Sequence, residues 1–297
     1  ETRSLPQEEE APHTAGTAEE RLLAFIGGKA ESALLMDAFN ILLEEDIFRT
    51  NPQALEKLNG WVKARDASRQ PAAMYAMGIL LLEKDDLSGA VKMAEEGLSK
   101  YPQSLPVQIL SLNTITVLLD KNRLQDAERL ISKYPGSSPD LVFQQGALAF
   151  LKKDYSLAQK FFREAARRAS ETTAENALFN ENLAALNAND ASGAAALIKE
   201  ASGSSRLRES ILFEQAHYAA KRMAPQAAEL LANFITLAET PALKTQARLD
   251  QVEVALNLNP PDLETVQAIL PLLEKEQLSP EQTMQLARLN ILEAESR

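Results

Sequence analysis

The chain has no cysteine in its 297 residues, which excludes disulfides, thiolate metal sites and cysteine nucleophiles. Histidine is nearly as scarce. His13 and His217 are the only two, and neither has a second histidine or a cysteine with which to build a zinc site. One tryptophan and an aromatic content of 5% leave the core to aliphatic side chains. Lys and Arg number 31 against 42 Asp and Glu, a net charge of −11, and this balance argues against the basic stripe that neutralises nucleic-acid phosphates. No apolar run approaches the roughly 18 residues of a membrane-spanning helix. Sustained runs of Val, Ile and Thr, the signature of strands, are missing as well.

What is present favours helix. The chain is 45% hydrophobic and rich in alanine, and Ala, Leu, Glu, Gln and Lys are strong helix formers, so an all-α fold is expected. Residues 1–20 hold six acids against one base, with Pro6, Pro12 and Gly16 interspersed. Residues 1–16 therefore read as a disordered acidic leader. The chain starts at Glu1 rather than Met, so an upstream segment is expected to have been removed or left out.

The stretch from Pro139 to Ser170 organises the rest. It reads as two helices joined by a polar turn at Lys152–Tyr155, with Ser138 as cap and Pro139 at the first helical position. Gly146 and Ala158 are small residues where the helices cross, and Phe162 and Ala165 continue the buried stripe of the second helix. Gly78 and Ala90 repeat the relation from Pro71 onward, twelve residues apart in both units. The small residue of the second helix then falls at Ala90, Ala127, Ala158, Ala194 and Ala228, with spacings of 37, 31, 36 and 34. Asn182 and Ala216 take the first-helix position in the last two units.

These units resemble tetratricopeptide repeats (TPRs), whose period is about 34. Ankyrin repeats share that period but need a turn motif missing here, and HEAT repeats run longer. The family's tryptophan is absent from every unit. The resemblance implies a right-handed α-solenoid of about five antiparallel helix pairs over residues 71–240. Residues 17–70 are then divergent N-terminal capping helices, and 241–297 are C-terminal helices and a cap.

In the N-terminal region, Thr17-Ala18-Glu19-Glu20 reads as a capping box for a helix reaching about Ile26. A longer helix is expected from about Lys29 to Phe48, with Leu34, Leu35, Ala38, Ile41, Leu42 and Phe48 on its apolar face. Asn51-Pro52 opens another that carries Trp61. Towards the C-terminus, Pro271 is expected to kink or end a helix near Leu270. Ser279-Pro280-Glu281-Gln282 starts a last helix to about Glu295, whose acidic, arginine-bearing face suits a terminal cap.

The catalytic inventory is empty, and neither enzyme activity nor a cofactor is expected. Gly27-Gly28-Lys29-Ala30 lacks the preceding glycine and following Ser/Thr of a phosphate loop. Lys152, Lys153, Lys160, Arg163, Arg167 and Arg168 form the densest basic cluster. It reads as a solvated face, or alternatively as a patch for an acidic partner.

The TPR resemblance implies that first helices line a concave groove. Its ligand-facing positions fall on Tyr75, Ile79 and Leu82, on Leu112, Thr116 and Leu119, and on Phe143, Ala147 and Phe150. The last two units supply Phe179, Leu183 and Leu186, then Phe213, His217 and Ala220. The lysine and asparagine with which some TPRs hold chaperone tails are missing. An apolar, aromatic-lined groove suits an amphipathic helix or an extended apolar peptide; packing against neighbouring helices is the other reading of the same side chains.

A non-catalytic scaffold for a protein or peptide partner is the first expectation. The alternative is a periplasmic TPR component of a bacterial cell-envelope assembly or of a polysaccharide or pilus export machine. A periplasmic or cell-envelope location is expected, with the cytoplasm as alternative.

Overall fold

Helix formers dominate the sequence, and helices dominate the structure. The computed structural model describes residues 16–28, 32–64 and 66–296. Among them are 17 α-helices, a short 3-10 turn at Ala201–Gly203 and no strand. The chain divides into two units, Glu1–Ser137 and Ser138–Arg297. The first holds α1 (Ala18–Gly27), α2 (Ser32–Glu44), α3 (Ile47–Thr50), α4 (Pro52–Lys63), α5 (Gln70–Glu83), α6 (Leu87–Lys100), α7 (Leu105–Asp120) and α8 (Leu124–Lys133). The second holds α9 (Pro139–Leu151), α10 (Tyr155–Arg168), α11 (Glu171–Asn187), α12 (Ala191–Glu200), α13 (Ser205–Lys221), α14 (Ala227–Leu237), α15 (Pro241–Leu256), α16 (Leu263–Leu273) and α17 (Pro280–Ser296). No described helix is long and apolar enough to cross a membrane.

Helices pack in adjacent pairs, and within each unit successive pairs lie against one another. In the first unit α5 packs on α6 and on α7; in the second, α11 touches α9, α10, α12 and α13, and α15 touches α13, α14, α16 and α17. The starts follow from the sequence: Thr17 closes a capping box with Glu20, Asn51 caps α4 with Pro52 inside it, and Ser138 accepts from the Leu141 amide at 3.2 Å. Ser279 and Gln282 exchange the two bonds of a capping box at α17.

The turn inside each pair is one motif used five times. Asp85, Asn122, Lys153, Asn189 and Met223 all have positive φ, between 49° and 63°. The amide of the following residue reaches back to a carbonyl five positions earlier: Asp86 to Leu81, Arg123 to Leu118, Asp154 to Ala149, Asp190 to Ala185 and Ala224 to Ala219, at 2.7–2.9 Å. This is a Schellman ending, which satisfies the last free carbonyls of the first helix. Asp86, Asp154 and Asp190 then cap the second helix, accepting from Gly89, Leu157 and Gly193 at 2.9–3.1 Å. One aspartate thus closes one helix and opens the next. The five left-handed residues are spaced by 37, 31, 36 and 34, the same intervals as the small residues read from the sequence.

Packing explains the small positions. Ala90, Ala127, Ala158 and Ala194 are buried. A Cβ on Gly146 would stand 2.8 Å from the Phe162 ring, and one on Gly78 would overlap the Leu110 side chain. The room left by each glycine is therefore filled by a neighbouring side chain rather than by a close backbone. Asn182 is buried too, and Gln215 donates both to its Oδ1, at 2.9 Å, and to the Ala194 carbonyl, at 2.8 Å.

Four expectations are corrected. The fifth small position is Ala227, not Ala228, which is exposed; Ala224-Pro225 brings no capping aspartate, and α14 begins only at Ala227. The helix expected through Phe48 breaks at Asp46, which has φ 57°. Three consecutive acids, Glu44-Glu45-Asp46, crowd the negative end of α2 there, and aspartate tolerates the left-handed turn. Leu34 and Ile41 are exposed, so the buried face of α2 is narrower than expected, with Leu35, Ala38, Phe39 and Leu42 inside. Of the two outcomes expected at Pro271, the early end is overturned, since α16 runs on to Leu273; in the last turn the proline forfeits a single helical bond. The outward face of α17 does carry acids and an arginine, Glu281, Arg288 and Glu295, with Met284 and Ile291 exposed among them. The helix start near Lys29, the leader through residue 15 and the Lys29-Ala30 part of the rejected phosphate loop lie outside the described residues.

Candidate functional site

The expected partner-binding side chains sit on first helices, at matching registers. In the first unit Tyr75 and Ile79 on α5 are half-buried and rest on the core around Phe39 and Phe48; Leu112 on α7 is half-buried. In the second unit Phe143, Ala147 and Phe150 on α9 are half-buried beside Ala149, Ala158, Phe162 and Ala184. Phe143 meets the Phe162 ring edge-on at 5.3 Å, and Phe150 meets Tyr155 in the same manner. Phe179 on α11 packs by Leu197 and Ile211, and Leu183 is half-buried one turn on. Phe213 on α13 is buried at 8% exposure, between Phe234 and His217. All but Phe213 keep one flank in solvent while the other holds the helix pair together.

Further along the second unit the same helices turn polar. His217 Nδ1 lies 2.5 Å from Asp250 Oδ2. An ionised carboxylate only accepts, so the proton stands on Nδ1. Asp250, 1% exposed, also accepts from Gln246 Nε2 at 3.1 Å. That amide reaches Gln285 Oε1 at 3.0 Å, and Gln282 donates to Gln246 at 3.3 Å. Glu253 receives Gln285 at 3.3 Å and Lys221 at 3.7 Å. The result is a polar ladder across α13, α15 and α17. The bond from Asp250 raises the His217 pKa, outweighing burial, which pulls it down. Burial raises the carboxyl of nearby Glu214.

A second buried acid lies on α11. Glu181 is 1% exposed and accepts from Arg163 Nε of α10 at 2.7 Å. Burial still raises its pKa against the pull of the guanidinium. Arg163 thus leaves the basic cluster for an internal partner, and Arg168 pairs with Glu164 at 2.8 Å; Lys160 and Arg167 stay exposed.

Two clefts lie away from the aromatic positions. One, of about 600 Å³, is lined by Arg206, Arg208, Leu212, Phe234, Leu237 and Pro241. A smaller one, of about 190 Å³, borders the ladder at Lys221, Asp250, Glu253 and Arg288. Among the described residues no group of three His, Asp or Glu side chains is placed to hold a metal ion.

Sequence reading found His217 but missed Asp250, Gln246, Glu253 and Gln285. The signal was available. His217 and Asp250 are 33 residues apart, and Lys221–Glu253 and Glu253–Gln285 are each 32 apart, so partners sit one repeat length along the chain. Arg49–Glu83 and Arg129–Glu95, both 34 apart, do the same in the first unit.

These features define an all-helical protein of helices packed in adjacent pairs, an arrangement consistent with a helical repeat. No protein-family model matches the chain, and no curated protein matches it in sequence.

Proposed function

We propose that this chain is a TPR-like α-solenoid of about five repeats that acts as a non-catalytic scaffold, holding an apolar peptide or amphipathic helix along its first helices. The observation that carries the reading is that half-buried aromatics recur at one register in both units: Tyr75 in the first, Phe143 and Phe179 in the second, each with an open flank. Side chains anchored on one side and wet on the other lose little conformational freedom on binding, and aromatic anchors dominate such interfaces. In the first unit Ile79 and Leu112 add to the surface at Tyr75; in the second Ala147, Phe150 and Leu183 extend it, and the ladder beginning at His217 bounds it with polar groups.

The test separates binding from folding. The native chain is screened against an array of amphipathic helical and extended apolar peptides, and Phe143→Ala and Phe179→Ala are compared for thermal midpoint and affinity. The expected result is a loss of about 1–3 kcal/mol in binding from variants that still melt cooperatively. Variants that lose stability while binding as the native chain does would assign both rings to the core, and so would an array on which no peptide binds.

A further inference from the structure

In the second unit a third cleft, of about 300 Å³, opens between the α11–α12 pair and the α13–α14 pair, a volume at the small end for a ligand pocket. Leu186, Ala194, Ala219 and Leu230 wall it, and Gln215, Tyr218 and Arg222 of α13 line it together with Asp190. The three α13 residues are spaced 3 and 4 apart, on one face of the helix. Each polar group has capacity to spare. Tyr218 Oη is buried and has no hydrogen-bond partner among the described residues. Gln215 spends both amide hydrogens, on Asn182 Oδ1 at 2.9 Å and on the Ala194 carbonyl at 2.8 Å, so its carbonyl oxygen is what it has left. Arg222 lies over the Tyr218 ring at 4.5 Å and donates to the neutral Asn189 Oδ1 at 2.8 Å; it pairs with no carboxylate among the described residues. Asp190 gives Oδ1 to the Gly193 amide and the Ser192 hydroxyl, both at 2.9 Å, and keeps Oδ2. Packing does not ask for the tyrosine hydroxyl. Tyr218 stands two residues past Ala216, and the residues two past Gly78, Gly146 and Asn182 are Leu80, Leu148 and Ala184, all buried and apolar. A buried hydroxyl without a partner costs stability, so its partner is to be sought in the cleft that Tyr218 lines.

We propose that this cleft binds a free α-amino acid with an aliphatic side chain. The groups with spare capacity match such a ligand in number and kind. Its carboxylate accepts from the Arg222 guanidinium, which suits that geometry, and from the Tyr218 hydroxyl. Its ammonium donates to the Gln215 carbonyl oxygen and to the Asp190 carboxylate. Its side chain rests on Leu186, Ala194, Ala219 and Leu230. One cation and one anion in the same small lining call for a ligand that carries both signs. A plain carboxylate would meet Asp190 with no charge to offer it, and a plain amine would meet Arg222 in the same way. The volume admits a single residue and excludes a helix, so this site is separate from the aromatic row. Because Asp190 precedes α12 while Tyr218 and Arg222 belong to α13, the ligand bridges two helix pairs, and its binding stabilises the folded chain by mass action.

Calorimetric titration of the whole chain with L-leucine tests this, beside isocaproate, which lacks the ammonium, and isoamylamine, which lacks the carboxylate. The expected result is millimolar or tighter binding of leucine and at least about tenfold weaker binding of either analogue, since a hydrogen bond to a charged group is worth about that factor or more. Tyr218→Phe separates binding from folding by moving two readouts in opposite directions. It should raise the melting temperature of the ligand-free chain, because an unpaired buried hydroxyl is gone, and weaken leucine binding at least about tenfold. Arg222→Gln, which keeps a donor but loses the charge, should weaken leucine binding to a similar degree. A chain that binds no leucine at millimolar concentration overturns the proposal, and so does equal binding of either analogue. A Tyr218→Phe variant that melts at or below the native temperature overturns it by showing that the hydroxyl is already satisfied. Leucine binding that neither variant weakens places the ligand elsewhere and overturns it as well.

Discussion

Two glycines within helices, Gly146 and Gly60, respond to the same substitution with opposite sign. At Gly146 the added methyl group would meet the buried Phe162 ring at 2.8 Å, and overpacking of this kind costs about 1–3 kcal/mol. Gly60 lies within α4 with nothing near its missing side chain, so Gly60→Ala should stabilise by about 0.5–1 kcal/mol through helix propensity. Urea titrations of Gly146→Ala and Gly60→Ala check both; equal effects would refute the packing account. His217 gives a second prediction. Its folded pKa is raised, chiefly by the Asp250 bond, with Glu214 adding to the rise and Lys221 opposing it. The stability it supplies is fully present below the unfolded value of about 6.5 and is lost as pH rises through the folded value. Melting temperatures of the native chain should fall across that window, and His217→Gln should flatten the fall. Parallel curves for the two proteins would show that the pair contributes nothing.

At the scale of the element, most of the architecture was readable because helix ends announce themselves. The cap-and-proline starts at Asn51, Ser138 and Ser279 each open a helix where expected. What failed was counting alone: Ala228 lies five residues past the left-handed Met223, as the other four small residues lie past theirs, but α14 starts only at Ala227 and buries that alanine instead. The polar ladder went unread for a different reason, since His217 and Asp250 are unremarkable until placed one repeat apart. The shared aspartate of the turn is open to test. Asp154→Ala removes the cap of α10 while leaving the Schellman bonds of α9, and should cost about 0.5–2 kcal/mol. Lys153→Gly, at φ 63°, should instead stabilise by up to about 1 kcal/mol, because glycine adopts the left-handed conformation without penalty. Chemical denaturation of the two variants measures both, and a loss at Lys153→Gly would count against strain at the turn.

For the molecule as a whole, the register that carries the aromatics through α5, α9, α11 and α13 was legible, whereas the balance between core and open flank at each ring was not. Burial depends on what the paired helix brings: Phe234 of α14 seals Phe213, while Phe143 keeps one flank in solvent. The division after Ser137 was not legible either. Residues 138–297 expressed alone should show a helical spectrum and a cooperative urea transition, because α9–α17 enclose cores of their own; a gradual, non-cooperative melt would contradict that.

The two kinds of connection differ in how much they can vary. Four within-pair turns, Lys84–Asp86, Lys121–Arg123, Lys152–Asp154 and Ala188–Asp190, have one length, and their hydrogen bonds leave no slack. The joints from one pair to the next, Tyr101–Ser104 and Ala169–Ser170 among them, do not share a length. Foreign sequence such as an epitope tag or a fluorescent reporter therefore belongs at those joints, and splicing it into a within-pair turn would pull both flanking helices out of phase with their neighbours.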